Sequence, residues 1–237
     1  MTLLLSRARL VTHRSRAQSV AALLQKAAAA DAGHALIWSL FPQDDQTRRF
    51  LYRETARGEY LILSHVPPID EAGLWSLESR DYAPDLQVGD RLAFSLRADV
   101  QINAPPEGLG EQRQRGRREP LHAAARRLSS TPEAVARDWV AARLERHGAQ
   151  LLTIPHQHDS ARDPDMHGVA PREHLRIHLE SRLRFAGGSK IGPLQPVLLE
   201  GAIEMIRPDV FTTLLANGLG RSRGYGCGLL LLRRLST

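Results

Sequence analysis

Eleven residues near the C-terminus, Gly218 to Gly228 (GLGRSRGYGCG), hold five glycines, two arginines and a serine. Glycine lets a backbone come close to a ligand and adopt positive φ, so such a run can turn successive N–H groups toward an anion. Arg221, Ser222 and Arg223 add side-chain donors. The segment therefore reads as a phosphate-contacting loop, with Gly218, Gly220, Arg221, Gly224 and Tyr225 as its contact residues. It is not a Walker A loop, because no Gly-Lys-Ser/Thr follows, and it lacks the strand–helix setting of a dinucleotide fingerprint. A plain turn before an edge strand is the alternative reading.

The basic charge has the same character. The formal net charge is +6, and Lys26 and Lys190 are the only lysines, so thirty of the 32 basic residues are arginine. A planar guanidinium fork suits phosphate and guanine edges, which favours a polyanionic partner; a solvated arginine-rich surface is the alternative. Arg113, Arg115, Arg117 and Arg118 form a dense run in a Gln/Gly-rich stretch that could order against a nucleic-acid backbone, or serve only as a solvated linker. His156, His158, His167, His174 and His178 invite a metal reading. Their spacing is irregular and no cysteine joins them, so no metal site and no cofactor are expected, and His174, Arg176 and His178 are read as one polar strand face. The single cysteine, Cys227, excludes a disulfide framework and fits a cytoplasmic setting. The apolar runs at Met1–Val11 and Leu229–Leu232 are too short for a signal peptide or a membrane span. No helix-turn-helix pattern suggests a DNA regulator.

The elements that must position these residues follow from periodicity. Leu3–Val11 reads as a strand, Val20–Leu40 as helical with a break near Asp31 and Gly33, and Phe50–Glu54 with Glu59–Ser64 as a strand pair. In Arg91–Ala98, Leu92, Phe94 and Leu96 alternate with smaller or polar residues, as in a half-buried strand. Thr131-Pro132-Glu133 is a helix start, with a cap residue, proline at the first position and acid in the first turn, for a helix reaching about Glu145. Strands are expected at Leu151–Ile154, Leu175–Phe185, Pro196–Ile206 and Leu229–Leu232, with a short helix from Arg207 to Ala216. Two rounds of this order predict an α+β chain of two tandem small domains. The boundaries are read as 1–98, an arginine-rich linker or arm at 99–124, and 125–237 carrying the glycine-rich loop.

Four stretches resemble one family. They are His34-Ala35-Leu36-Ile37-Trp38-Ser39-Leu40-Phe41-Pro42, the strand Val88 to Ala98, the helix with Trp139 and Leu144, and the ending Gly218 to Gly228 with its leucine strand. The chain resembles the CasE-type CRISPR-associated endoribonucleases of the type I-E Cascade system. That resemblance implies tandem ferredoxin-like (RRM-like) domains and metal-independent cleavage of precursor crRNA at the base of a repeat hairpin. It implies attack by the neighbouring 2′-OH, a 2′,3′-cyclic phosphate product, and retention of the crRNA 3′ hairpin beside other Cascade subunits, one of them a backbone subunit. His34 is carried over as the catalytic histidine, with Arg223 and Ser222 beside it in the glycine loop. The family's tyrosine three positions before the histidine is Asp31 here, which leaves Tyr60 or Tyr225 to supply a hydroxyl. A non-catalytic subunit that only captures the RNA hairpin is the alternative.

Overall fold

Alternating strands in the first third of the chain bury two different faces, and this decides where the C-terminal loop can go. A computed structural model of the chain describes residues 3–11, 29–41, 50–104, 118–154, 172–173, 175–183 and 194–235. Its first unit contains β1 (Leu3–Leu10), α1 (Ala29–Trp38), β2 (Phe50–Ala56), β3 (Glu59–Ser64) and β4 (Trp75–Tyr82). The antiparallel sheet runs β2-β3-β1-β4. One face, with Ala8, Phe50, Tyr52, Tyr60 and Ile62, packs under Leu36, Ile37 and Leu40 from α1 and the turn after it. Fully burying such a side chain contributes roughly 1.5–3 kcal/mol, so α1 is held by its apolar side. The other face, with Leu3, Leu51 and Leu63, meets Leu229 from the C-terminal end of the chain.

The second unit contains β5 (Arg91–Ala98), the ribbon β6 (Gln101–Asn103) and β7 (Arg118–Pro120), α2 (Leu121–Arg127) and α3 (Pro132–Arg146). It continues through β8 (Ala149–Leu151), the short pair β9 (Thr153–Ile154) and β10 (Arg172–Glu173), β11 (Leu175–Leu179), β12 (Val197–Met205), α4 (Pro208–Asn217) and β13 (Leu230–Arg234). The sheet order is β11-β12-β5-β13, with β8 also on β12. Both sheets therefore show the antiparallel order of a ferredoxin-like fold, last strand beside first. α3 starts as its sequence predicts, with Thr131 Oγ1 accepting from the Ala134 N–H at 3.1 Å.

Three expectations change. Ending the first domain at residue 98 groups Arg91–Ala98 with it, but this strand pairs with β12 and β13 at the centre of the second sheet. Its alternation reads the same in either sheet, so periodicity cannot choose. The stretch 99–124 is not all linker: it carries β6, β7 and the first residues of α2, while Arg113, Arg115 and Arg117 lie outside the described residues. β4 was not expected at all, because only Trp75 in it is buried and the strand is an edge whose polar residues show no apolar period.

Candidate active site

Leu51 and Tyr52 point to opposite faces of β2, as neighbouring strand residues must. The glycine loop touches both. A Cβ on Gly218 would lie 2.8 Å from Leu51 Cδ1, and one on Gly226 would lie 3.6 Å from the Tyr52 ring. The loop thus wraps the edge of β2 and brings the C-terminal end of the chain to α1.

Contact with His34 is direct. Its Nδ1 lies 2.8 Å from the carbonyl oxygen of Gly224. A carbonyl can only accept, so Nδ1 carries the hydrogen and proton exchange falls to Nε2. The Tyr52 hydroxyl donates to the same oxygen at 2.6 Å. Tyr225 stacks against the imidazole with ring centroids 5.8 Å apart and planes 28° apart, and Trp38 lies 5.4 Å away on the same helix.

Arg223, next to Gly224 in the loop, is half-buried. Its Nε and Nη2 donate to the carbonyls of Gly220 and Gly218, both at 3.2 Å. Burial lowers its pKa from the ordinary arginine value, with no carboxylate contributing. The imidazole therefore bonds a loop carbonyl 190 residues away in sequence, in the turn of backbone that also carries the Arg223 guanidinium. Arg221 is exposed and forms an antiparallel bridge with Asp99.

Ser222 has a different partner from the one its sequence suggests. It adopts left-handed φ, 53°, and its Oγ donates to Asp99 Oδ2 at 2.6 Å. Gln101 Nε2 donates to that same oxygen at 2.9 Å. The buried Asp99 thus anchors the loop to the end of β5.

The expectation of successive loop amides facing an anion meets an obstacle. The Gly218, Leu219, Tyr225 and Gly228 N–H groups donate to the backbone oxygens of Leu214, Gly228, Ser222 and Arg97. At Gly218 and Gly220 the glycines serve close approach: besides Leu51, a Cβ on Gly218 would meet the Gly228 oxygen at 2.9 Å, and one on Gly220 would meet Trp139 at 3.3 Å.

Sequence reasoning missed the residues that hold the loop down. Arg97 donates through Nη1 to the Tyr225 carbonyl at 2.8 Å and through Nε to Glu180 Oε2 at 2.8 Å. Arg53 donates to Ser95 Oγ at 2.9 Å, and Ser95 donates to Glu200 Oε1 at 3.0 Å. Ser95 and Arg97 are the polar half of β5, and that half faces the first unit rather than water. Alternation signals a polar face, but it cannot say what covers it. Tyr60 is buried in the first core, and burial with Glu54 beside it holds the phenol well above its usual range, so it stays protonated.

Arg118 is exposed on β7, and Arg176 and His178 share the exposed face of β11. His156, His158, His167 and His174 lie outside the described residues, as does the side chain of Asp31. Among the described residues no group of three or more His, Cys, Asp or Glu side chains is placed to hold a metal ion. No helix among them is long and apolar enough to cross a membrane.

Paired ferredoxin-like units whose second unit delivers an arginine-bearing loop to a histidine on the first define a composite-cleft α+β protein. The chain belongs to the CRISPR-associated protein family, whose model matches residues 3–234. It is 26% identical over 208 residues to the CRISPR system Cascade subunit CasE of Escherichia coli K12, covering 85% of this chain and 90% of that protein. Its fold is similar to that of Thermus thermophilus Cse3 bound to an RNA representing a pre-cleavage complex, with TM-score 0.65, 23% identity and coverage of 98% of this chain and 100% of the other. It is likewise similar to Cas6e from E. coli K-12, with TM-score 0.60, 22% identity and the same coverage.

Proposed function

We propose that this chain is a metal-independent endoribonuclease that binds the hairpin of a CRISPR repeat and cuts precursor crRNA at its base. The observation that supports this reading is the bond from His34 Nδ1–H to the Gly224 carbonyl, in the loop that carries Arg223. In the reaction, Nε2 of His34 takes the proton of the 2′-OH as its oxygen attacks the adjacent phosphorus. Arg223 compensates the negative charge that builds on the phosphorane oxygens. The P–O5′ bond then breaks, the 5′-oxygen takes up a proton, and a 2′,3′-cyclic phosphate remains. The nucleophile is internal to the substrate, so proximity and alignment supply much of the rate and no metal-bound water is needed to create it.

Ser222 supports the loop through Asp99 in this reading rather than reacting, and Gly218 and Gly220 shape the loop more than they touch RNA. Arg118, Arg221 and Tyr225 face the RNA, together with the arm that carries Arg113, Arg115 and Arg117. The relative in E. coli is named as a Cascade subunit, which supports retention of the product hairpin within that assembly. Its setting is the cytoplasm, where the lone Cys227 stays a thiol.

The test is cleavage of the repeat RNA in EDTA by the wild type and His34→Ala. Wild-type cleavage with a cyclic phosphate end is expected, with the variant slower by about 10²–10⁴-fold at unchanged RNA affinity. Full activity of His34→Ala would remove the histidine from the mechanism. Tight hairpin binding by a wild type that never cuts would leave only the RNA-capture reading.

A further inference from the structure

Two cavities meet at Tyr225, which lines both and whose ring stacks on His34. The first, about 760 Å³, lies between β2 and the Arg97–Glu180 pair and is walled by Tyr52, Tyr60 and Leu36. The second, about 600 Å³, lies across the loop, where Asp99 is the one carboxylate beside Arg126, Arg182 and Arg221 among the described lining residues. A strand whose reacting phosphate sits at Tyr225 must pass from one to the other. The strongly basic side suits a hairpin, whose two strands crowd phosphates together. The other side mixes Arg53, Arg57 and Arg97 with Glu54 and Glu180, which suits a single nucleotide with a flat base and few charges.

Arg53 gives that cleft its specific feature. The side chain is half-buried, yet its direct hydrogen-bond partner is the neutral hydroxyl of Ser95. Glu180 is engaged by Arg97 and Glu200 by Ser95. Burial lowers the Arg53 pKa, with the charges of Glu200 and Glu180 opposing and that of Arg97 adding to the shift. Among the described residues no carboxylate pairs with Arg53 directly, and a cation desolvated in that way is costly unless a ligand supplies an anion.

We propose that this cleft is the subsite for the unpaired nucleotide that leaves with the 5′-hydroxyl, its base and ribose between β2 and Tyr225 and its following phosphate held by Arg53 together with Arg57, which lines the same cleft. The inference rests on the nuclease reading above. Holding the leaving nucleotide also has a chemical use, because in-line attack requires the departing oxygen to be fixed as well as the 2′-OH.

The probes are two repeat hairpins, both 2′-deoxy at the scissile nucleotide so that binding is read without cleavage. One ends in the scissile 3′-phosphate, and the other is extended by one nucleotide bearing a 3′-phosphate. The extension is expected to tighten wild-type Kd about tenfold, as one charge-assisted contact does. In Arg53→Gln, and in Arg57→Gln on the exposed turn lining the same cleft, the gain falls to twofold or less. Each protein is compared with itself, so a general loss of affinity cancels, and Arg57→Gln serves if Arg53→Gln melts early. An equal gain in wild type and variants, or none in a wild type that binds the hairpin, overturns the subsite alone. A wild type that binds neither RNA overturns the nuclease reading and the subsite with it.

Discussion

Tyr52 and His34 converge on one backbone oxygen, the Gly224 carbonyl, at 2.6 and 2.8 Å. Tyr52 is buried on β2. By occupying one lone pair of that carbonyl it fixes the oxygen that the imidazole needs, and so acts on the histidine through the loop. Tyr52→Phe keeps the ring packing and removes this one donor. Cleavage under single-turnover conditions should slow about five- to tenfold, matching roughly 1 kcal/mol for one neutral hydrogen bond, with RNA affinity unchanged. The ¹⁵N shifts of His34 should also show weaker Nδ1 protonation. Unaltered rate and shifts would reduce Tyr52 to a packing residue.

Arg223 presents a planar fork that already leans on two loop carbonyls. Its removal should cost cleavage about 10²–10³-fold, the range for deleting one transition-state donor. Arg223→Lys should recover only part of the rate, since a point charge cannot replace the fork. Rates measured at saturating RNA decide the matter, and full recovery by lysine would show that charge alone suffices.

Gly218 combines φ of 72° with contacts closer than a side chain tolerates, to Leu51 and to the Gly228 oxygen. Gly218→Ala should lower stability by roughly 1–3 kcal/mol through backbone strain, and by more if the loop cannot lift off β2. A thermal melt gives the cost, and the cleavage rate reports whether the loop has left His34. An unshifted melting temperature would mean that the crossing of β2 is loose.

Burial of Cys227 pushes its thiol up to about 12, with the Arg97 guanidinium opposing the shift. The folded pKa lies above the unfolded value of 9.0, so the folded chain keeps a proton that the unfolded chain gives up. The corresponding stability is complete below pH 9 and is lost as pH rises toward 12. Stability measured by denaturant should fall less steeply across that window in Cys227→Ala than in the wild type. At pH 8 a thiol reagent should modify the native protein negligibly and the denatured protein fully. Rapid native labelling would contradict the buried loop.

The legible part of this protein is local. The Thr131–Pro132 helix start, the alternation in Arg91–Ala98 and the five glycines before the last strand each depend on neighbours in sequence. Residue type and spacing suffice for them. The tertiary structure decided which sheet Arg91–Ala98 joins, because alternation specifies a buried face and not its partner strand. It also decided what the glycines are for: the loop crosses β2 so closely that several amides bond within the protein instead of facing a ligand. Tyr52, Arg97 and Asp99 reach the loop across 172, 128 and 123 residues, and Glu180 holds Arg97 across 83. Contacts at such separations leave no periodic trace, since they arise only when two independently patterned sheets dock and turn a polar strand face toward one another.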